Sequence, residues 1–130
     1  MKLIYSILYV NDVERSVNFY EDAFGLKRRF LHESGQYAEM ETGDTTLAFS
    51  GTSLAQSIVP TGYRENSRHE KPAGFQIALC PDDVGAAFLK ALKAGAEKVS
   101  SPEVKPWGWE SAVVRDLDGI LVELAREVHK

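Results

Sequence analysis

Leu3-Ile4-Tyr5-Ser6-Ile7-Leu8-Tyr9-Val10-Asn11-Asp12-Val13-Glu14 runs from an apolar strand straight into a helix start. Leu3, Ile4, Ile7, Leu8 and Val10 form a short run that is apolar on both faces, the pattern of a buried strand. Asn11 is the candidate helix cap, with Glu14 reaching back as in a capping box. Val13, Val17, Tyr20 and Phe24 then recur at helical spacing. Gly25 stops the helix, because glycine tolerates the left-handed conformation needed there. The same succession returns from Gly74 to Gly95. It comprises a strand Phe75 to Cys80, a start at Pro81-Asp82-Asp83, an apolar face of Val84, Phe88, Ala91 and Leu92, and a stop at Gly95. Two copies of one long unit in a chain of 130 residues imply two half-domains, with function expected in a cleft between them.

Each helix is followed by three strands. In the first half they are Leu26 to Glu33, Tyr37 to Thr42 and Thr45 to Ser50, joined by turns at Ser34-Gly35 and Gly43-Asp44 that make them antiparallel. In the second they are Ala96 to Val104, Trp109 to Arg115 and Ile120 to Ala125, the last turn being Asp118-Gly119. The expected fold is α+β, two tandem βαβββ modules at about 1–51 and 74–126 within one domain covering 1–130. The connection 52–73 mixes Ser, Thr, Gly and Pro with charged residues and shows no obvious element. A connection of that length is a crossover, a lid or a partner-binding arm.

The net charge of -4 argues against a nucleic-acid partner, since phosphate binding needs a clustered basic face. The densest cluster, Lys27-Arg28-Arg29, reads as a solvated or edge-protecting strand face. No apolar run reaches the roughly 20 residues that span a bilayer, and Met1-Lys2-Leu3 runs into a strand rather than a signal peptide, so no membrane partner and a cytoplasmic location are expected. A single cysteine, Cys80, excludes an intramolecular disulfide and reads as a small buried residue at a strand end. No phosphate loop, dinucleotide fingerprint or nucleophile elbow is present, and Asp116-Leu117-Asp118-Gly119 reads as a turn. No cofactor and no metal are expected: His32, His69 and His129 are read as surface residues, and a metal centre needs several converging ligands.

Two features carry chemistry. In Ile120-Leu121-Val122-Glu123-Leu124, both strand faces hold apolar residues, so Glu123 must find a cation, a donor or a raised pKa. It suits a ligand anchor, a metal ligand or a general base, and is the best catalytic candidate. The alternative is a carboxylate at a wet strand end, or one paired with Arg115. Trp107-Gly108-Trp109, introduced by Pro106, supplies rigid rings for a pocket wall or, alternatively, for core or interface.

Tyr9-Val10-Asn11-Asp12-Val13-Glu14-Arg15-Ser16-Val17-Asn18-Phe19-Tyr20, ending at Phe24-Gly25-Leu26, resembles the first unit of the vicinal oxygen chelate superfamily. Its members include glyoxalase I, bleomycin-binding resistance proteins and extradiol dioxygenases. Asp82-Asp83-Val84, Ala94-Gly95-Ala96, Pro106-Trp107-Gly108, Arg115-Asp116 and Asp118 to Glu123 extend the likeness over nearly the whole chain. The resemblance implies a curved mixed-sheet cup with helices outside, in a homodimer. It also implies four ligand positions, which fall on Tyr5, Ala48, Gln76 and Glu123. Histidine is expected at Tyr5 and Gln76, and only Glu123 keeps a metal-binding side chain. Trp109 stands where many relatives carry glutamine, and Leu117 where proline is common. These departures imply a metal-independent protein of the bleomycin-resistance type that binds a small planar or cationic ligand. Glu123 and Gln76 would orient the ligand, and Trp107, Trp109, Tyr5 and Tyr9 would wall it. The alternative is a glyoxalase-like lyase or isomerase, or a dioxygenase-like enzyme, with Glu123 as base or metal ligand.

Overall fold

A computed structural model describes residues 1–128 of the chain, so His129 lies outside the described residues. The first unit, Met1–Glu65, contains β1 (Tyr5–Val10), α1 (Val13–Phe24), β2 (Lys27–Leu31), β3 (Tyr37–Glu41), β4 (Thr46–Gly51) and α2 (Thr52–Ile58). Its sheet has the order β1-β4-β3-β2, with β1 parallel to β4 and the other pairs antiparallel. Apolar alternation sets the faces: Leu8 and Val10 of β1 are buried, as are Leu47 and Phe49 of β4, and Tyr20 of α1 packs its ring on Phe49. Tyr5, Ile7 and Tyr9 therefore point to the opposite face.

The second unit, Asn66–Lys130, repeats the plan with β5 (Gln76–Leu79), α3 (Val84–Ala94), β6 (Glu97–Val104), β7 (Trp109–Arg115) and β8 (Leu121–Glu127). The order is β5-β8-β7-β6, again with one parallel pair, β5 with β8. Val84, Phe88 and Ala91 of α3 are buried with Ala112, Val114, Val122 and Leu124. The α+β class and the two βαβββ modules are thus as expected. No helix of the described residues is long and apolar enough to cross a membrane.

Three local expectations are corrected. The cap of α1 is Asp12, whose Oδ1 accepts from Arg15 N at 3.1 Å, whereas Asn11 Oδ1 accepts from the Thr52 hydroxyl at 3.3 Å. Both residue types cap helices well, and the helix begins one residue later than a cap at Asn11 would allow. The connection holds a helix, α2, whose N-cap Gly51 has no side chain to offer, so Gln36 Oε1 accepts from Leu54 N at 3.2 Å instead. Cys80 is exposed rather than buried, because β5 is an edge strand and ends at Leu79.

Candidate functional site

The second unit gathers the chemistry onto one sheet face. On β8, Glu123 and Ala125 share a face, and β7 brings Trp109 and Ser111 to the same side. Glu123 is half-buried. Its Oε1 accepts from Gln76 Nε2 at 3.1 Å, and its Oε2 accepts from the Ser111 hydroxyl at 2.5 Å. Both donors are neutral, so the carboxylate is held in place without being neutralised by them. Arg115 does not pair with it. That guanidinium, 7 % exposed, donates to the carbonyls of Gly119, Ser67 and Glu70 and approaches Glu97 at 4.0 Å.

Above Glu123 lies a cavity of about 430 Å³, lined by Trp107, Trp109, Ala125 and the β5 end Ala78–Cys80 as well as by Glu123 itself. Trp107 is carried on a tight turn. Gly108 has φ 87 and donates to the Lys105 carbonyl at 3.0 Å, Lys105 N donates to the Trp109 carbonyl at 2.7 Å, and Val128 N donates to the Gly108 carbonyl at 2.8 Å. These bonds fix the turn, yet the Trp107 ring is 73 % exposed and Trp109 39 %. Rigid rings standing in solvent beside a carboxylate suit a flat ligand.

Of the six residues expected to bind ligand, the second unit brings Gln76, Trp107, Trp109 and Glu123 together. Tyr5 and Tyr9 stand on β1 of the first unit, where the Tyr9 ring packs edge-on against Tyr63 at 5.0 Å. Sequence reasoning missed Ser111. The signal for it was its place two residues beyond Trp109 on a strand, which gives both the same face. It also missed Cys80 as a lining residue.

The register settles which position answers which. Ala48 pairs with Ile7, two residues beyond Tyr5, and Glu123 pairs with Ala78, two beyond Gln76. Ala48 therefore occupies in the first unit the place of Glu123 in the second, and it is fully buried. The first unit offers a phenol and a methyl at these positions, and the second an amide and one carboxylate already engaged by two donors; neither set fits a divalent ion. Among the described residues no group of three or more His, Cys, Asp or Glu side chains is placed to hold a metal. His32 and His69 are both exposed.

The sequence profile of the Glyoxalase/Bleomycin resistance protein/Dioxygenase superfamily matches residues 2–124. A protein of Bacillus subtilis (strain 168), YraH, uncharacterized, is 28% identical over 125 residues, 95% of this chain and 97% of that one. A lactoylglutathione lyase of Haemophilus influenzae is 28% identical over 129 residues, 95% of this chain and 90% of that one. The crystal structure of a glyoxalase-related enzyme from Fulvimarina pelagi superposes with a TM-score of 0.83 at 20% identity, covering 96% of this chain and 87% of that one, a likeness of fold. With a family profile spanning almost its whole length and the paired βαβββ sheets behind it, the chain belongs to the glyoxalase/bleomycin resistance protein/dioxygenase superfamily.

Proposed function

We propose that the protein binds a small flat cation, without a metal, in the tryptophan-walled cavity of its second unit. The observation that carries this is the Glu123 carboxylate, held through both oxygens by the neutral Gln76 and Ser111 beneath two exposed indole rings. A cation arriving there meets a fixed negative charge at one edge and aromatic faces beside it. Each cation–π contact is worth about 0.5–2 kcal/mol, and a charge-assisted hydrogen bond about 1.5–3 kcal/mol. Prior anchoring by Gln76 and Ser111 removes the ordering cost that a free glutamate side chain would add on binding.

The test uses two reporters that the site carries itself. Titration with a methylated quinolinium is expected to quench tryptophan emission saturably and to slow alkylation of Cys80, the single thiol. Glu123→Gln keeps the shape and removes the charge, and is expected to weaken binding about tenfold or more. A chelator is expected to change neither response. Absence of both responses across a broad set of aromatic cations overturns the proposal.

A second reading is supported by the lactoylglutathione lyase relatives. In it Glu123, without a metal, acts as the base that takes a proton from a ketoaldehyde–thiol adduct. Turnover of such adducts that Glu123→Gln abolishes would favour it. Binding without turnover would leave the first reading standing.

A further inference from the structure

A second recess, of about 730 Å³, also lies against the tryptophans. Trp107 and Trp109 line both recesses, so the two share a wall. The second is formed at the β6–β7 turn and is lined by Lys105 and Glu127, side chains of opposite charge. Lys105 Nζ lies 3.6 Å from Glu103 Oε1, but the Glu103 side chain is 70 % exposed, and a surface pair of that kind is weak enough to yield to a ligand.

One strand connects the two recesses. Glu123, Ala125 and Glu127 occupy alternate positions of β8 and so share a face. Glu123 lines the first recess and Glu127 the second, with Ala125 between them presenting only a methyl. Four residue steps of strand separate the carboxylates, roughly 13 Å of travel at about 3.3 Å per residue. Trp109 is the register partner of Glu127, so its ring stands beside this track rather than across the strand from it. Trp107, mostly exposed on its fixed turn, presents indole surface to both recesses.

Resting on the proposed binding of a flat cation at Glu123, we infer that the ligand has two parts. The flat cationic head occupies the Glu123 recess. A chain passes over Ala125 along the indoles and ends, about 13 Å away on the strand spacing, in a group bearing both an ammonium and a carboxylate. The carboxylate meets Lys105 and the ammonium meets Glu127. The small side chain at 125 puts little bulk between the two carboxylates, and the two opposite charges at the far end select a dipolar terminus over a simple anion or cation.

Three quinolinium probes test this: the methylated ring alone, the ring with a neutral alkyl chain, and the ring with the same chain ending in an α-amino carboxylate. Cys80 alkylation reports the head recess, and tryptophan emission gives the affinities. The amino-carboxylate probe is expected to bind about tenfold or more tightly than the neutral-chain probe. Lys105→Met and Glu127→Gln are each expected to remove most of that ratio. Comparing two probes on one variant cancels any change common to both, and circular dichroism verifies the fold. A ratio near one in the unsubstituted protein, or a ratio surviving both substitutions, overturns the two-part ligand while leaving the head site intact. Failure of the whole set of aromatic cations both to quench tryptophan emission and to slow Cys80 alkylation removes the head site and the two-part ligand together.

Discussion

In the first unit Glu39 lies on β3, paired in register with Ala48, and its carboxylate accepts from the Tyr37 hydroxyl at 2.7 Å and from Arg29 Nη1 at 3.1 Å. Arg29 Nε also donates to Glu41 at 2.9 Å. A cation therefore answers the carboxylates of this sheet, whereas Gln76 and Ser111 answer Glu123 with neutral dipoles. The contrast makes Glu123 the carboxylate with charge to offer a ligand, and Glu39 a member of a closed network. Burial, then the hydrogen bond to Glu39, raises the Tyr37 pKa well above the usual tyrosine range. Because the folded value is the higher one, the stabilisation is complete below the unfolded tyrosine pKa and is lost as pH rises beyond it. Spectrophotometric titration is expected to show a late-ionising tyrosine that disappears in Tyr37→Phe, together with part of the alkaline fall in stability. Gly119 is a position with no room for a side chain. Its φ is 84, and a Cβ there would stand 2.8 Å from the Ser67 carbonyl oxygen. Gly119→Ala is expected to cost about 2 kcal/mol in urea unfolding. The Arg29–Glu39–Tyr37 network escaped sequence reasoning, although the alternation of Tyr37, Glu39 and Glu41 along β3 placed all three on one face.

At the scale of elements, the two long helices start alike. Asp12 Oδ1 accepts from Arg15 N at 3.1 Å and Asp83 Oδ1 from Ala86 N at 3.0 Å, and each helix ends on a left-handed glycine. Asp12→Ala is expected to cost about 1 kcal/mol, and Asn11→Ala less, as measured by denaturant unfolding of the two variants side by side. The helices and the succession of elements in each module were legible because apolar period, capping residues and glycine stops agree at both copies. The short helix α2 was not, because its 7 residues give only one short apolar face, Leu54, Ala55 and Ile58, and it opens on Gly51, which has no capping side chain. Its support comes from Gln36, a residue distant in sequence that fills the space over Gly51. By composition the basic triplet of β2 is a solvated or edge-protecting face. β2 is an edge strand, but Arg28 turns to α1, where it holds Glu21 through Nε at 3.0 Å and Nη2 at 2.9 Å, and Arg29 turns to β3. Partners that depend on which side of a bulge a residue falls cannot be read from composition, and β2 has such a bulge between Arg28 and Phe30.

At the scale of the molecule, the connection between the sheets is shared out between the two units. The boundary falls after Glu65. Beyond it, Arg68 donates to the carbonyls of Asp116 and Gly95, and Arg115 Nη2 reaches the carbonyls of Ser67 and Glu70 at 3.0 and 2.7 Å. The stretch 67–70 is thus strapped to the β7–β8 turn, while Arg64 is exposed and outside any regular element. Limited trypsin digestion is expected to cut after Arg64 before Arg68, giving two fragments of nearly equal mass by mass spectrometry. The duplication was legible because it is written in strands, caps and stops. The candidate residues of the proposed site were legible where they depend on residue type in a strand, as Glu123 and the tryptophans do. They were hidden where they depend on register, as Ser111 does, or on the end of an edge strand, as Cys80 does. Each sheet also closes with a parallel pair, Tyr5 against Thr46 and Gln76 against Leu121, while its other pairs are antiparallel neighbours along the chain. A parallel partner must wait for the intervening chain to return, so the hairpins can form early and β1 and β5 must dock late. Each unit of a growing chain therefore reaches its native sheet only after its last strand has been synthesised, and until then its first strand is an unpaired edge.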